Sequence, residues 1–425
     1  MMRLRRELGV AGAVMMGLGA MVGTGVFVSI GIAAGVAGPA VILAVAIAAA
    51  VAVCNALSSA QLAASHAVSG GTYEYGYRYL NPWLGFTAGW MFMVAKSASA
   101  ATAALGFAGY LLNAFGFSHD LRVPIGVAGV AVITLVVAGG MRRSSAINIV
   151  IVSITLLALA FFVVAGTFVI DAGNFTPFID SDNATWRTSL FQASALMFVA
   201  YTGYGRIATL GEEVRDPRRV IPLAIIITMV ISMLLYMAVA VVGIGTIGAE
   251  GLWDATSSQA APLATAARTF SLPWAGEILA AGAITAMLGV LLNLVLGLSR
   301  VLFAMARRGD MPDRFSRVDD SATPLSAVVV TGLFIGLLVL IGDVKTTWSF
   351  SAFTVLVYYA LTNLAALRLK DEDRLYPRWV AVLGLVACLF LAFQVETSTW
   401  LAGLALIALG LVWHGIARRG FKAGK

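Results

Sequence analysis

Long uncharged apolar runs alternate along the chain with short segments that collect its charge. A run of about twenty apolar residues is long enough to cross hydrocarbon as a helix. The pattern predicts twelve such spans, at 9–36, 39–65, 83–116, 122–140, 145–170, 188–210, 219–248, 275–305, 324–342, 346–369, 378–395 and 397–417. Two of them are interrupted. In the first, Gly17, Gly19, Gly23 and Gly25 crowd into GLGAMVGTGVF. Each glycine costs a helix about 1 kcal/mol relative to alanine, so the helix is expected to open over Val22–Gly25. In the sixth the interruption is Ala200-Tyr-Thr-Gly-Tyr-Gly205. An opened helix survives in hydrocarbon only where its freed N–H and C=O groups meet protein, water or ligand. Each interruption is therefore expected to line a site near the bilayer midplane.

The two interruptions lie five spans apart, which predicts an inverted repeat. The halves are 9–170 and 188–369, with two added helices over 378–417, all within a single transporter domain, 1–425. An odd number of spans per half gives the halves opposite orientation, the arrangement of alternating access. A channel would also use broken helices, but it should show a continuous polar stripe, and none is visible.

Composition supports the membrane reading. The chain of 425 residues is 60% hydrophobic and 12% charged, against about a quarter charged in an average soluble domain. The net charge of +7 does not point to nucleic acid, because the basic residues follow the loops. Of 28 Lys and Arg residues, 21 fall in one set of alternate loops and both tails, and 4 (Arg122, Arg187, Arg268, Lys345) in the other set. Cytoplasmic loops carry the Lys/Arg excess, which predicts a multi-pass protein of the cell membrane with both termini cytoplasmic. Cys54 and Cys388 both sit in apolar runs, so no disulfide framework is expected. His66, His119 and His414 lack metal-ligand spacing. GLGAMVG imitates a dinucleotide fingerprint without the strand that motif requires. No nucleophile cluster is present, so no enzyme, cofactor or metal is expected.

Two basic side chains remain at membrane depth, Lys96 and Arg206, while all 21 acidic residues lie in loops or at span ends. Lys96 is 13 residues from Trp83, about 20 Å into the membrane at 1.5 Å per residue. An ammonium there costs at least ~2.5–3.5 kcal/mol, which suits a group that gains and loses a proton in each cycle. The alternative is a fixed structural cation bonded to carbonyls of a broken helix. Arg206 stays charged and either recognises an anionic group or braces the second half of the sixth span. Thr24 either donates to a ligand or bonds back to its own helix. Asn293 reads as interhelical glue, and Trp83, Trp186, Trp274, Trp348 and Trp400 as interfacial anchors.

The motifs resemble those of the amino acid–polyamine–organocation (APC) permeases over nearly the whole chain. They are VGTGVF at 22–27, SGGTYEYGYRYLNPWLGFTAGW at 69–90, FVAYTGYG at 198–205, EEVRDPRRVIP at 212–222 and GLSRVLFAMARRGDMP at 297–312. The resemblance implies an all-α polytopic APC fold with discontinuous helices 1 and 6, and a permease that imports or exchanges amino acids or related amines. It places a substrate carboxylate on the N–H groups of Gly23, Thr24 and Gly25. It places the ammonium on the carbonyls of Met21, Val199 and Thr202, under Phe198 and Tyr201. Where many relatives carry an acid after the Gly-aromatic pair, this chain has Gly205 and then Arg206. Where proton-coupled relatives carry a lysine on the fifth span, it has Thr155. Lys96 is therefore the coupling candidate, with H+ as the ion and Thr155 marking the position the family uses. With bases at depth and acids at the edges, neutral or acidic amino acids are favoured over cationic ones, by symport or antiport. The alternatives are a carrier of another organic amine, or a transporter-like membrane sensor without flux.

Overall fold

The computed structural model describes residues 8–66, 70–140, 145–179, 184–209, 214–318 and 324–420. Its regular elements are helices. In order they are α1 (Val10–Met21), α2 (Thr24–Phe27), α3 (Ser29–Ala37), α4 (Val41–Ser65), α5 (Thr72–Tyr75) and α6 (Pro82–Phe115). There follow α7 (Arg122–Ala138), α8 (Ser145–Gly166), α9 (Trp186–Ala200), α10 (Gly205–Ala208), α11 (Pro217–Gln259) and α12 (Pro262–Ala267). The last are α13 (Ala275–Arg307), α14 (Leu325–Val339), α15 (Val344–Leu367), α16 (Arg378–Ala392) and α17 (Thr397–Gly420).

Eight stretches among the described residues are long and apolar enough to cross a bilayer, and three shorter apolar helices (α1, α14, α16) accompany them. The protein is an all-helical, multi-pass membrane protein. Local sequence sets the helix ends. Asn81 accepts from Leu84 N at 2.9 Å with Pro82 in the first turn, starting α6, and Gly116 ends it at φ 67°. Asp343 accepts from Thr346 N at 2.7 Å to start α15. In α11 the helical path bends at Gly248, φ 70°, near the end expected for the seventh span.

The core is built from small residues. Ala88, Ala95, Ala100, Ala101 and Ala104 of α6 are fully buried, and α6 packs along α15 and α13. Lipid tails are as apolar as leucine, so helices in a bilayer associate through close packing of small side chains. The outer helices present large apolar residues instead, such as Leu135 on α7, Leu333 and Leu337 on α14, and Ile416 on α17. Against the inner helices lies the first interrupted stretch, α1–α3, packed on α9 and α11.

Candidate functional site

The first helix opens at Val22 and Gly23, whose φ/ψ values of −84°/100° and −173°/−126° are non-helical. The opening is narrower than expected, because Thr24 and Gly25 already belong to the single turn of α2. A second bend follows at Val28. The sixth-span interruption behaves differently. From α9 the chain passes through Tyr201 at φ −85°, ψ −8° into a 3₁₀ turn, Thr202–Tyr204, and then into α10. It tightens without opening.

The two interruptions lie backbone against backbone. A Cβ on Gly203 would stand 2.5 Å from the Ala20 carbonyl and Met21 Cα, and one on Gly25 would stand 2.7 Å from Ala200 Cα. Glycine at these two positions makes room for the neighbouring helix. Tyr236 on α11 joins the two: its hydroxyl lies 2.6 Å from the Met21 carbonyl and 3.3 Å from that of Ala200. Tyr359 on α15 donates to the Thr202 carbonyl at 3.1 Å, and the Thr202 hydroxyl donates to Val199 O at 2.8 Å. All three carbonyls expected to await an ammonium therefore already accept a protein hydroxyl; those of Val199 and Thr202 also face the backbone N–H groups of Tyr201 and Gly205, which leaves Met21 with a lone pair to offer. In a bilayer core a freed carbonyl without a partner is too costly to leave bare.

Between the interruptions lies a cavity of about 40 Å³. Its walls are Ala20 and Met21 of α1, Thr24 and Gly25 of α2, Lys96 and Ser99 of α6, and Val199, Ala200, Thr202 and Gly203 of the sixth-span stretch. Val290 and Leu294 of α13 and Trp348 of α15 complete them. That is of the order of a water or two, so an amino acid enters only as the walls part. Thr24 Oγ1 is buried there with no hydrogen-bond partner, so its hydroxyl does not bond back to its helix. Lys96 Nζ donates to Thr202 Oγ1 at 2.8 Å. The ammonium thus reaches a side-chain hydroxyl of the sixth-span turn.

Of the residues singled out from sequence, Met21, Thr24, Gly25, Lys96, Val199 and Thr202 line the cavity, and Gly23 packs beside it on Val290. Phe198 and Tyr201 do not cover it. Phe198 packs edge-on against Tyr359 and Tyr201 against Tyr236. They are core residues because helix α9 turns its large side chains toward α15 and α11. Gly205 lies under the Tyr359 hydroxyl. Arg206, in α10, contacts the Thr209 hydroxyl at 3.5 Å and is not a wall residue. Thr155 donates to Ile151 O at 2.8 Å within α8.

A match to the family model for amino acid permeases spans residues 12–419. The chain belongs to the amino acid permease family. It is 39% identical over 418 residues to an uncharacterized transporter of Mycobacterium tuberculosis, covering 98% of this chain and 92% of that one. It is 25% identical over 444 residues to a branched-chain amino acid permease of Bacillus subtilis, and 26% over 444 to a methylthioribose transporter of the same organism. Each alignment covers 98% of this chain and 94% of the relative. The protein is a transporter of this family and not an enzyme.

In this permease the sequence reading missed Trp348 as a wall residue. It is 3% exposed, and its indole donates to Leu196 O at 2.9 Å, so it is no interfacial anchor. The run of hydroxyls around it, Thr346, Thr347, Ser349 and Ser351, was the available signal. Tyr236 carried none: a lone tyrosine within an apolar span looks like packing. Asn293 does act between helices, donating to Gly19 O at 3.4 Å. Of the EEVRDPRRVIP motif, Glu212 and Glu213 lie outside the described residues.

Proposed function

We propose that this permease is a secondary active transporter that moves neutral or acidic amino acids across the cell membrane by alternating access. The observation that carries the reading is the cavity between two interrupted helices, lined by Thr24, whose hydroxyl has no partner, and by Lys96, whose ammonium donates to Thr202. The substrate carboxylate meets the Thr24 hydroxyl and the first amides of α2, which precede any intrahelical bond. The ammonium takes the remaining lone pair of the Met21 carbonyl, beside those of Val199 and Thr202.

In this proposal α1–α3 form one span and α9 and α10 another. The chain then makes twelve spans, two inverted sets of five and two added helices, with both termini cytoplasmic. The placement of the two interruptions five spans apart supports the repeat, and the basic loops support the orientation. The relative described as a branched-chain amino acid permease supports the substrate class.

The proposed coupling ion is H+, carried by Lys96, because it lines the cavity with a titratable group whereas Thr155 has none. Purified protein in proteoliposomes tests this. Wild type should exchange labelled amino acid and accumulate it when a pH gradient is imposed. Lys96→Met should keep exchange at saturating substrate and lose accumulation driven by the gradient. Binding of an amino acid with no flux in either direction would make the protein a sensor. Unchanged accumulation by Lys96→Met would remove the lysine from coupling.

A further inference from the structure

The cavity has a one-sided charge. Lys96 is the only ionisable side chain on its walls, and no carboxylate is among them. Among the described residues Lys96 enters no ion pair, and its side-chain partner is the neutral Thr202 hydroxyl.

The hydroxyls beside it are already committed. Thr202 directs its proton to Val199 O. Ser351 Oγ directs its own to Ala95 O at 3.0 Å, so the 2.7 Å contact between Ser99 and Ser351 is donated by Ser99. An ammonium has three donors, and one is used on Thr202. The hydrogen-bond donors left on this wall are therefore the other two N–H groups of Lys96. What complements them is an acceptor, and at this depth a charged one. A buried cation facing only neutral dipoles lacks most of the compensation for leaving water, and a bound anion supplies it. A neutral side chain leaves the ammonium as it was, and a cationic one adds repulsion.

We infer that Lys96 is the selectivity residue of this site and that the substrate is an acidic amino acid, its side-chain carboxylate held by the Lys96 ammonium. The inference rests on the transporter reading above and narrows it. The α-carboxylate lies toward Thr24, across the cavity, so a substrate with two carboxylates engages both polar walls. Val290, Leu294 and Trp348 close the space between them and keep water from screening the pair.

Thermal-shift titration of the purified wild type with L-glutamate, L-aspartate, L-glutamine and L-asparagine compares acids with amides of nearly equal shape. Counterflow in proteoliposomes without a pH gradient repeats the comparison independently of coupling. One or both acids should bind at least tenfold more tightly than the matching amide. Lys96→Met should erase that preference by weakening the acid alone, and Lys96→Arg should retain it. Amides binding wild type as tightly as acids, or an acid preference that survives Lys96→Met, overturns the inference while leaving an amino acid transporter. Failure of both acids to bind or exchange overturns the inference, and failure of the remaining amino acids as well overturns the amino acid reading on which it rests. The wild-type ratio decides the matter even where a variant does not fold.

Discussion

The two interrupted helices solve the same problem in opposite ways. The first abandons helical geometry at Val22 and Gly23 and resumes one turn later. The second never leaves the right-handed region, and shortens its hydrogen bonds into a 3₁₀ turn between Tyr201 and Gly205. The first therefore places freed backbone and a residue with a buried, unpartnered hydroxyl, Thr24, at the cavity wall. The second presents a side chain already engaged, Thr202, between Lys96 and Val199 O. A glycine-rich break frees main-chain groups and lets the two spans approach closely. A 3₁₀ turn positions side chains and holds the other break in place.

The largest effect expected from this contrast comes from its closest contact. Gly203→Val places a branched side chain within 2.5 Å of the Ala20–Met21 backbone, which cannot give way. Gly23→Ala meets only the Cγ2 tip of Val290, at 2.6 Å. Overpacking costs about 1–3 kcal/mol where neighbours can shift, and more where they cannot. Gly203→Val should give no monodisperse peak on size exclusion, while Gly23→Ala should fold. Equal behaviour of the two would remove the distinction between the breaks.

Tyr236→Phe removes the hydroxyl shared by both breaks and leaves the ring. The Met21 and Ala200 carbonyls lose that bond inside hydrocarbon, at a cost of about 1–3 kcal/mol. The melting temperature in detergent should fall by several degrees, and substrate affinity with it. An unchanged melting temperature would mean that the breaks are held by packing alone.

Thr24→Val acts on the first break only and is the mildest. The hydroxyl has no partner in the protein, so its loss should leave the empty permease as stable as wild type or slightly more so. Affinity for substrate should fall roughly five- to tenfold, from one lost hydrogen bond of about 1–1.5 kcal/mol. A drop in stability without a drop in affinity would assign the hydroxyl to the fold.

Much of this was legible in the chain itself. Apolar runs of about twenty residues had to become membrane helices, because a helix satisfies its backbone within one segment and a barrel strand would be about half as long. The helix ends follow from Asn81, Asp343, Gly116 and Gly248, residues whose local chemistry is independent of the fold. Both interruptions were visible as glycine clusters, and Lys96 as a charge at depth. Such features are local, or depend only on the solvent being lipid.

What the chain could not disclose is which groups face one another. Whether Lys96 reaches the first break or the sixth depends on how α6 is rotated against α13 and α15, the helices it packs along, through small residues such as Ala95, Ala100 and Ala352. Phe198 and Tyr201 look like a substrate lid in sequence and turn out to be packing for Tyr359 and Tyr236. Trp348 looks like an anchor and is a wall. The hydroxyls that satisfy the freed carbonyls come from Tyr236 and Tyr359, 215 and 157 residues away from their acceptors Met21 and Thr202. A polar group in hydrocarbon takes whatever partner the packing brings within 3 Å, so only the tertiary structure determines which carbonyls are engaged and which wall carries the charge.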